Sequence, residues 1–378
     1  MRYLSLFFII FNFATSYCLA IDDMKDKNMR VSQYKTVSKH LENLNDDELL
    51  ALLKEGKPLQ SGWGSTVKLE IEGIPIFVKQ VPLNEIEGKS KDIKSTENLF
   101  NLPVYYQYGV GSGGFSVWRE LAAHEITTQW VLTNESQNFP LMYHWRILDN
   151  FQEKKPFDEE EFKKYVAYWD NSSAIGERVR ANHLASANVV LFIEYIPETL
   201  KSWLSKESKK GNVAIDRAIE MVEKNLQETT FFLCKKDMLH FDAHFHNIMT
   251  DGERLYFSDF GLAISSRFAL SKDELQFFHT HKNYDRYYVA TKLTNWIVGN
   301  AFGKDSVDKI LQVYAEGKKP DSIPDSLTPF LSSIVKRYAP LSLKMNNFFE
   351  SLTKQAKETP YPIKELDGIW GEIVVETE

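Results

Sequence analysis

The stretch between residues 240 and 261 constrains this chain more than any other. It runs His240-Phe241-Asp242-Ala243-His244-Phe245-His246-Asn247, then Asp251-Gly252, then Leu255-Tyr256-Phe257-Ser258-Asp259-Phe260-Gly261. Physically it is a loop bearing a carboxylate and, five residues on, an amide; then an apolar turn; then a short strand ending in a second carboxylate and a glycine. A carboxylate that orients or deprotonates an acceptor, with an amide oxygen and a second carboxylate that hold Mg²⁺ against phosphates, are the parts phosphoryl transfer requires. The same residues admit a rival reading. His240, Asp242, His244 and His246 alternate, and in an extended segment alternate residues share a face, as the ligands of a zinc or iron hydrolase would. The plainest reading has each histidine capping or packing a loop. Asn247 and the Asp259-Phe260-Gly261 triplet twelve residues later favour the first reading.

The order and spacing resemble the catalytic loop and metal-binding triplet of the protein-kinase-like superfamily, H-x-D-x-x-x-x-N followed by D-F-G. The resemblance implies an α+β, two-lobed fold with a small β-rich N-lobe and a helical C-lobe, and a phosphotransferase that uses ATP with Mg²⁺ or Mn²⁺. It makes Asp242 the catalytic base and Asn247 and Asp259 the metal ligands, with His240 bracing the loop. Two positions depart from protein kinases. Phe241 replaces the arginine that reads a phosphorylated activation loop, and His244 replaces a lysine, as is common in aminoglycoside and choline kinase relatives.

Upstream, Ser61-Gly62-Trp63-Gly64-Ser65-Thr66-Val67 enters a strand, and Ile74 to Val81 forms a second strand bearing Lys79. Glycines let backbone N–H groups approach phosphates. By the resemblance Gly62, Gly64 and Ser65 cover the phosphates and Lys79 neutralises them, although Val67 stands where the family has a third glycine. A helix is expected from Val117 to Leu132, and in the family a glutamate of this helix pairs with the strand lysine. Glu125, aligned with Trp118, Ala122, Gln129 and Leu132, is preferred over Glu120, whose first-turn position also suits the helix dipole. Ala187 to Pro197 reads as a buried strand running into the hinge, which places Glu194 and Ile196 beside the nucleotide. The intervening Gly109-Val110-Gly111-Ser112-Gly113-Gly114 also fits G-x-G-x-x-G, but no βαβ unit follows. It is a hinge or a second phosphate or substrate loop at a helix N-terminus.

Beyond Gly261 the Ala-Pro-Glu anchor of a peptide-binding segment is absent, and Ser271 and Glu274 form a capping box that opens a helix. A generic peptide is therefore not the expected acceptor. The expected divisions are a signal peptide at 1–20, a helical extension at 21–60, an N-lobe with insertions at 61–196, a C-lobe at 197–345 and a tail at 346–378. The first division rests on Arg2, the apolar run Tyr3 to Ala14 and the small residues before Asp22. Cleavage there leaves Cys234 as the sole cysteine and no stable membrane insertion. An uncleaved anchor is the alternative. A net charge of -7 gives no footprint for nucleic acid. An exported ATP-dependent enzyme implies delivery into a host compartment and a host or extracytoplasmic acceptor, protein or small molecule. The alternatives are a nucleotide-binding pseudokinase that acts by interaction and the metal-dependent hydrolase.

Overall fold

The computed structural model describes residues 27–59, 65–89, 91–149 and 156–377. The expected signal peptide and the two glycines Gly62 and Gly64 lie outside the described residues. The architecture is α+β: a small antiparallel sheet with one helix against it, followed by a mainly helical region.

Helix α1, from 27 to 43, and α2 (Asp46–Glu55) precede the sheet and bury Val37, Leu41, Leu49 and Leu53 in its core. Asn45 and Glu48 close α2 with a capping box, and Asp46, Asp47 and Glu48 lie at the positive end of its dipole. The sheet comprises β1 (Lys57–Leu59), β2 (Ser65–Ile71), β3 (Ile74–Leu83), β4 (Met142–Asp149) and β5 (Ala187–Glu194), in the spatial order β1-β2-β3-β5-β4 with every neighbour antiparallel. Glu72 and Gly73 both take positive φ, 52° and 75°, in the two-residue turn that joins Ile71 to Ile74. Such a turn matches the twist of the strands and so fixes the register that places Lys79 opposite Thr66, while β5 on the other side of β3 places Leu191 opposite Lys79.

Helix α3 (Val117–Leu132) opens on Ser116, whose hydroxyl accepts the Trp118 N–H. It packs Val117, Trp118 and Leu121 against Leu83, Val189, Leu191 and Ile193 of the sheet. Two insertions flank it. Residues 84–116 join β3 to α3, and α4 (Glu159–Tyr168) and α5 (Ser173–Leu184) lie between β4 and β5. They share a core of Tyr106, Phe115, Trp169 and Ile175. Helix α4 opens on Asp158, whose carboxylate accepts the N–H groups of Glu160 and Glu161; 150–155 lie outside the described residues.

After a short strand β6 (Glu198–Thr199) come α6 (Leu200–Glu207) and α7 (Asn212–Lys235). The chain then forms β7 (Met238–Leu239), β8 (Ile248–Thr250), β9 (Leu255–Phe257) and β10 (Ile264–Ser265). β10 pairs with β7, and β8 lies between β6 and β9, so the 240–247 loop is pinned at both ends. Next come α8 (Lys272–Thr280), opened by the Ser271/Glu274 capping box, α9 (Tyr284–Phe302), α10 (Val307–Ala315), α11 (Pro329–Lys354) and α12 (Ile363–Thr377). Helix α11 runs unbroken across residue 345, so the boundary expected there falls inside a helix. α12 buries Leu366, Trp370 and Ile373 in the same core, so the segment expected as a tail is part of the helical region. No helix among the described residues is long and apolar enough to cross a membrane.

Candidate active site

The loop that carries Asp242 is held from below by a residue the sequence did not single out. Asp285, in the first turn of α9, accepts the backbone N–H groups of His240 at 2.6 Å and Phe241 at 2.9 Å. Phe241 has φ of 66°, a left-handed conformation that costs a side-chain-bearing residue about 1–2 kcal/mol. The two hydrogen bonds, and the stacking of its ring on Tyr284 at 4.2 Å, hold it there. Burial raises the Asp285 carboxyl to about 6, while the two N–H groups pull the other way. The His240 Nδ1 accepts the Asp242 N–H at 3.3 Å, which leaves Nε2–H to donate to the Ser258 carbonyl at 2.8 Å. Burial lowers His240 to about 4 and keeps it neutral. Its geometry is that of a brace.

Asp242 is oriented by Asn247, whose Nδ2 donates to Oδ2 at 3.0 Å and to the Asp242 carbonyl at 3.1 Å. The Oδ1 atom is buried and has no hydrogen-bond partner among the described residues. Burial first, and the charge of Asp259 second, raise the Asp242 carboxyl well above the ordinary range; Lys292 of α9, Asn247 and Lys79 oppose the rise. Lys292 itself sits over the Tyr288 ring at 4.7 Å. A carboxylate with a raised pKa and one oxygen free of hydrogen bonds is a stronger base than an ordinary carboxylate, as a group that accepts a proton in a reaction should be.

Lys79 joins three elements. Its Nζ lies 2.6 Å from Glu120 Oε1 on α3 and 2.8 Å from Asp259 Oδ1. Burial alone would lower the ammonium, but the two carboxylates outweigh it and hold Lys79 above its ordinary value. Asp259 adopts φ of 60°, the left-handed conformation that turns its carboxylate back toward Lys79, and its Oδ1 also accepts Gly261 N–H at 3.4 Å. The partner of Lys79 is thus Glu120 and not Glu125. The buried face of α3 runs through Val117, Glu120, Leu121, His124, Thr128 and Val131; Glu125 lies on the exposed side with Gln129, where it meets Lys94 at 2.7 Å. Helix α3 is fixed from its other side by Arg119, which forms a fully buried ion pair with Glu274 of α8 at 2.7 Å and donates Nε–H to the Thr96 carbonyl.

The segment from Tyr106 to Phe115 crosses from the sheet side and lies directly on this machinery. A Cβ on Gly109 would overlap Asp242 Oδ1, and one on Gly114, where φ is 77°, would overlap the Gly261 carbonyl. At Gly114 only glycine fits, and at Gly109 a side chain fits only if Asp242 moves aside. The loop is anchored throughout. Gln107 donates to the Leu262 carbonyl, the Tyr108 hydroxyl meets His281 Nε2 at 2.6 Å, Tyr168 and Tyr165 donate to the carbonyls of Val110 and Gly111, and Arg178 donates to that of Gly114. Gly109→Ala is expected to displace Asp242 and cut turnover by about 10²-fold, the scale of an ångström-sized misplacement, with thermal stability little changed. Steady-state kinetics alongside a melting curve checks it; an unaltered rate would show that the loop does not position Asp242.

Beside these groups lies a cavity of about 680 Å³ walled by Phe77, Ile193, Tyr195 and Ile196, with Lys79, Asp242, Asn247 and Asp259 at its inner end. Ser65, at the start of β2, does not line it, whereas the next residue, Thr66, does. Glu194 borders the cavity, but its carboxylate is taken by Arg30 of α1 at 3.0 and 2.7 Å and by the Leu141 N–H, and its own N–H donates to the Leu141 carbonyl at 2.8 Å, so its side chain does not serve a ligand. The four alternating residues of the rival metal reading do not converge: His240 turns to Ser258, and His246 Nε2 lies 3.0 Å from Lys201 Nζ. Among the described residues no three histidine, cysteine or acidic side chains form a group that could hold a metal by themselves. Asp285, Arg30 and the pairing of Arg119 with Glu274 escaped sequence reasoning; Gly109 was legible as part of a hinge or phosphate or substrate loop, but its seat against Asp242 is visible only once the loop's path is known. No family model matches the chain, and no curated protein matches it.

Proposed function

We propose that the chain is an ATP-dependent phosphotransferase with a two-lobed, protein-kinase-like fold. The observation that carries this reading is the convergence of Lys79, Glu120 and Asp259, drawn from β3, α3 and the segment after β9, beside an Asp242 oriented by Asn247. In phosphoryl transfer the protein contributes mainly position and charge. Here the Lys79 ammonium, steered by two carboxylates, would face the α and β phosphates, and Asp242 would accept the proton of the attacking hydroxyl. The apolar walls at Phe77, Ile193 and Ile196 suit a purine ring.

Magnesium or manganese fits the residues present. Asn247 turns its amide nitrogen to Asp242, so its carbonyl oxygen is the end left for a cation, and Asp259 commits one oxygen to Lys79 and keeps the other. Both are hard oxygen donors, and such metals take one or two protein ligands plus substrate phosphates. When bound, the ion would neutralise phosphate charge. Asp259→Ala is expected to abolish the Mg²⁺-dependent part of ATP binding, whereas Asp242→Asn retains it. Thermal-shift titration with ATP, with and without Mg²⁺, tests the division of roles; equal metal-dependent shifts in both variants would refute it.

The leader-like residues 1–20 support action outside the producing cell, on a host or extracytoplasmic acceptor. The pseudokinase alternative has no observation in its favour, because each catalytic position that lies among the described residues carries a competent side chain.

A further inference from the structure

The glycine loop divides the space around Asp242 in two. Gly109, Gly111 and Ser112 face the cavity of about 680 Å³ beside the hinge, while Ser112, Gly113 and Gly114 face a second cavity of about 790 Å³ between β3 and the insertion helices α4 and α5. Four residues line both: Lys79, Ser112, Asp242 and Asp259. We propose that the second cavity is the acceptor chamber, built to hold a small hydroxyl compound without net negative charge. This rests on the phosphotransferase reading.

Three observations carry it. The two cavities share the residues that a transfer between two substrates requires, the base, the metal carboxylate and the phosphate lysine, and otherwise have different linings. The purine-like walls belong to the first cavity; the second is lined instead by Asp158, Glu161, Asn182 and His183 of the insertion, with Phe157 at 4.7 Å from the His183 ring. Among the described residues its one arginine, Arg178, is already committed to Glu87 at 2.9 Å and to the Gly114 carbonyl, and Lys79 is held by Glu120 and Asp259, so the chamber adds Glu120, Asp158 and Glu161 to Asp242 and Asp259 and no uncommitted guanidinium. An anionic acceptor would meet repulsion there.

Size and closure give the second half of the class. A volume of this order holds a small molecule. Gly109 against Asp242 and Gly114 against the Gly261 carbonyl leave no space between loop and catalytic loop for an extended strand, and the chamber wall is a fixed one: Tyr106 holds Gly113 N–H at 2.9 Å and Tyr165 at 2.7 Å. In the transfer, the acceptor oxygen forms the new bond to the γ-phosphorus, the bond from that phosphorus to the β–γ bridging oxygen breaks, the hydroxyl proton passes to Asp242, and ADP leaves.

The test fills the chamber from its far wall. Val179, on α5, lines the chamber and packs against the core of Tyr106, Phe115, Trp169 and Ile175. The full chain and Val179→Trp are assayed with γ-labelled ATP and Mg²⁺ against a panel of neutral and cationic hydroxyl compounds (hexoses, inositol, nucleosides, amino alcohols) and against unfolded casein, with ATP affinity and ATP hydrolysis measured in parallel. The expected result is transfer to a member of the small-molecule panel, reduced at least tenfold in Val179→Trp through a raised KM, with ATP affinity within twofold of the parent and casein unlabelled. Val179→Phe, a smaller filler, should act in the same direction where the tryptophan variant does not fold. Casein labelled equally by parent and variant, small-molecule transfer indifferent to both fillers, or ATP hydrolysis with no panel member accepting phosphate would overturn the assignment. Absence of both ATP binding and hydrolysis would instead overturn the phosphotransferase reading beneath it.

Discussion

Asp242→Asn is expected to lower phosphoryl transfer by about 10²-fold or more, the range for loss of general-base assistance, while Mg²⁺-dependent ATP binding persists. The substitution is nearly isosteric, and the Asn247 amide that contacts Oδ2 can still meet the asparagine side-chain oxygen, so the loop pinned by Asp285 and His240 keeps its shape. The pH profile carries a second signature. Because burial and the neighbouring Asp259 raise the Asp242 carboxyl, the base is protonated at pH values where an ordinary carboxylate is ionised. The rate should therefore fall on acidification through a pKa above the usual carboxylate range, and Asp242→Asn should remove that limb from whatever rate remains. Initial rates between pH 5 and 8 measure both. Unchanged turnover in a folded Asp242→Asn protein would falsify its role as the base.

Glu274→Ala is expected to destabilise the fold by about 3–5 kcal/mol, the cost of leaving a buried charge without its partner. Both Arg119 and Glu274 are 2% exposed at the side chain, so solvent cannot replace the lost partner. The consequence reaches the site along α3: Arg119 and Glu120 are adjacent, and the pair from α8 sets the rotation of the helix that delivers Glu120 to Lys79. Turnover should fall together with stability, and the double variant Arg119→Met/Glu274→Leu, which removes both charges, should recover much of the stability. Urea denaturation followed by assay separates the two effects. A loss below 1 kcal/mol in Glu274→Ala would show that α8 does not hold α3.

What the sequence disclosed and what it hid divide along one physical line. Local signals carried well: the Ser271/Glu274 capping box, the span of α3, and the strand from Ala187 all depend on neighbours within a few residues. The sequence placed Asp242 and Asn247 in one loop, but that the Asn247 amide donates to Asp242 shows only in the folded loop. The choice between Glu120 and Glu125 failed because a helix with bulky apolar residues all round it offers two plausible faces, and only the packing of Val117, Leu121 and His124 selects one. Arg30 to Glu194, Asp285 to the catalytic loop, and Gly109 onto Asp242 are contacts between distant segments. No periodicity encodes them. The rival metal reading drew on alternation, which assumes an extended backbone; the turn at Phe241 breaks that assumption and sends His240 and His246 apart.

The most direct measurement is incubation of the purified full chain with ATP labelled separately at the α and γ phosphates, with and without Mg²⁺, in the presence of host and bacterial extract. A phosphotransferase releases ADP and moves only the γ label, only with the metal, and Asp259→Ala abolishes the transfer. Movement of the α label, or a folded protein that neither binds nor consumes ATP under these conditions, would contradict it.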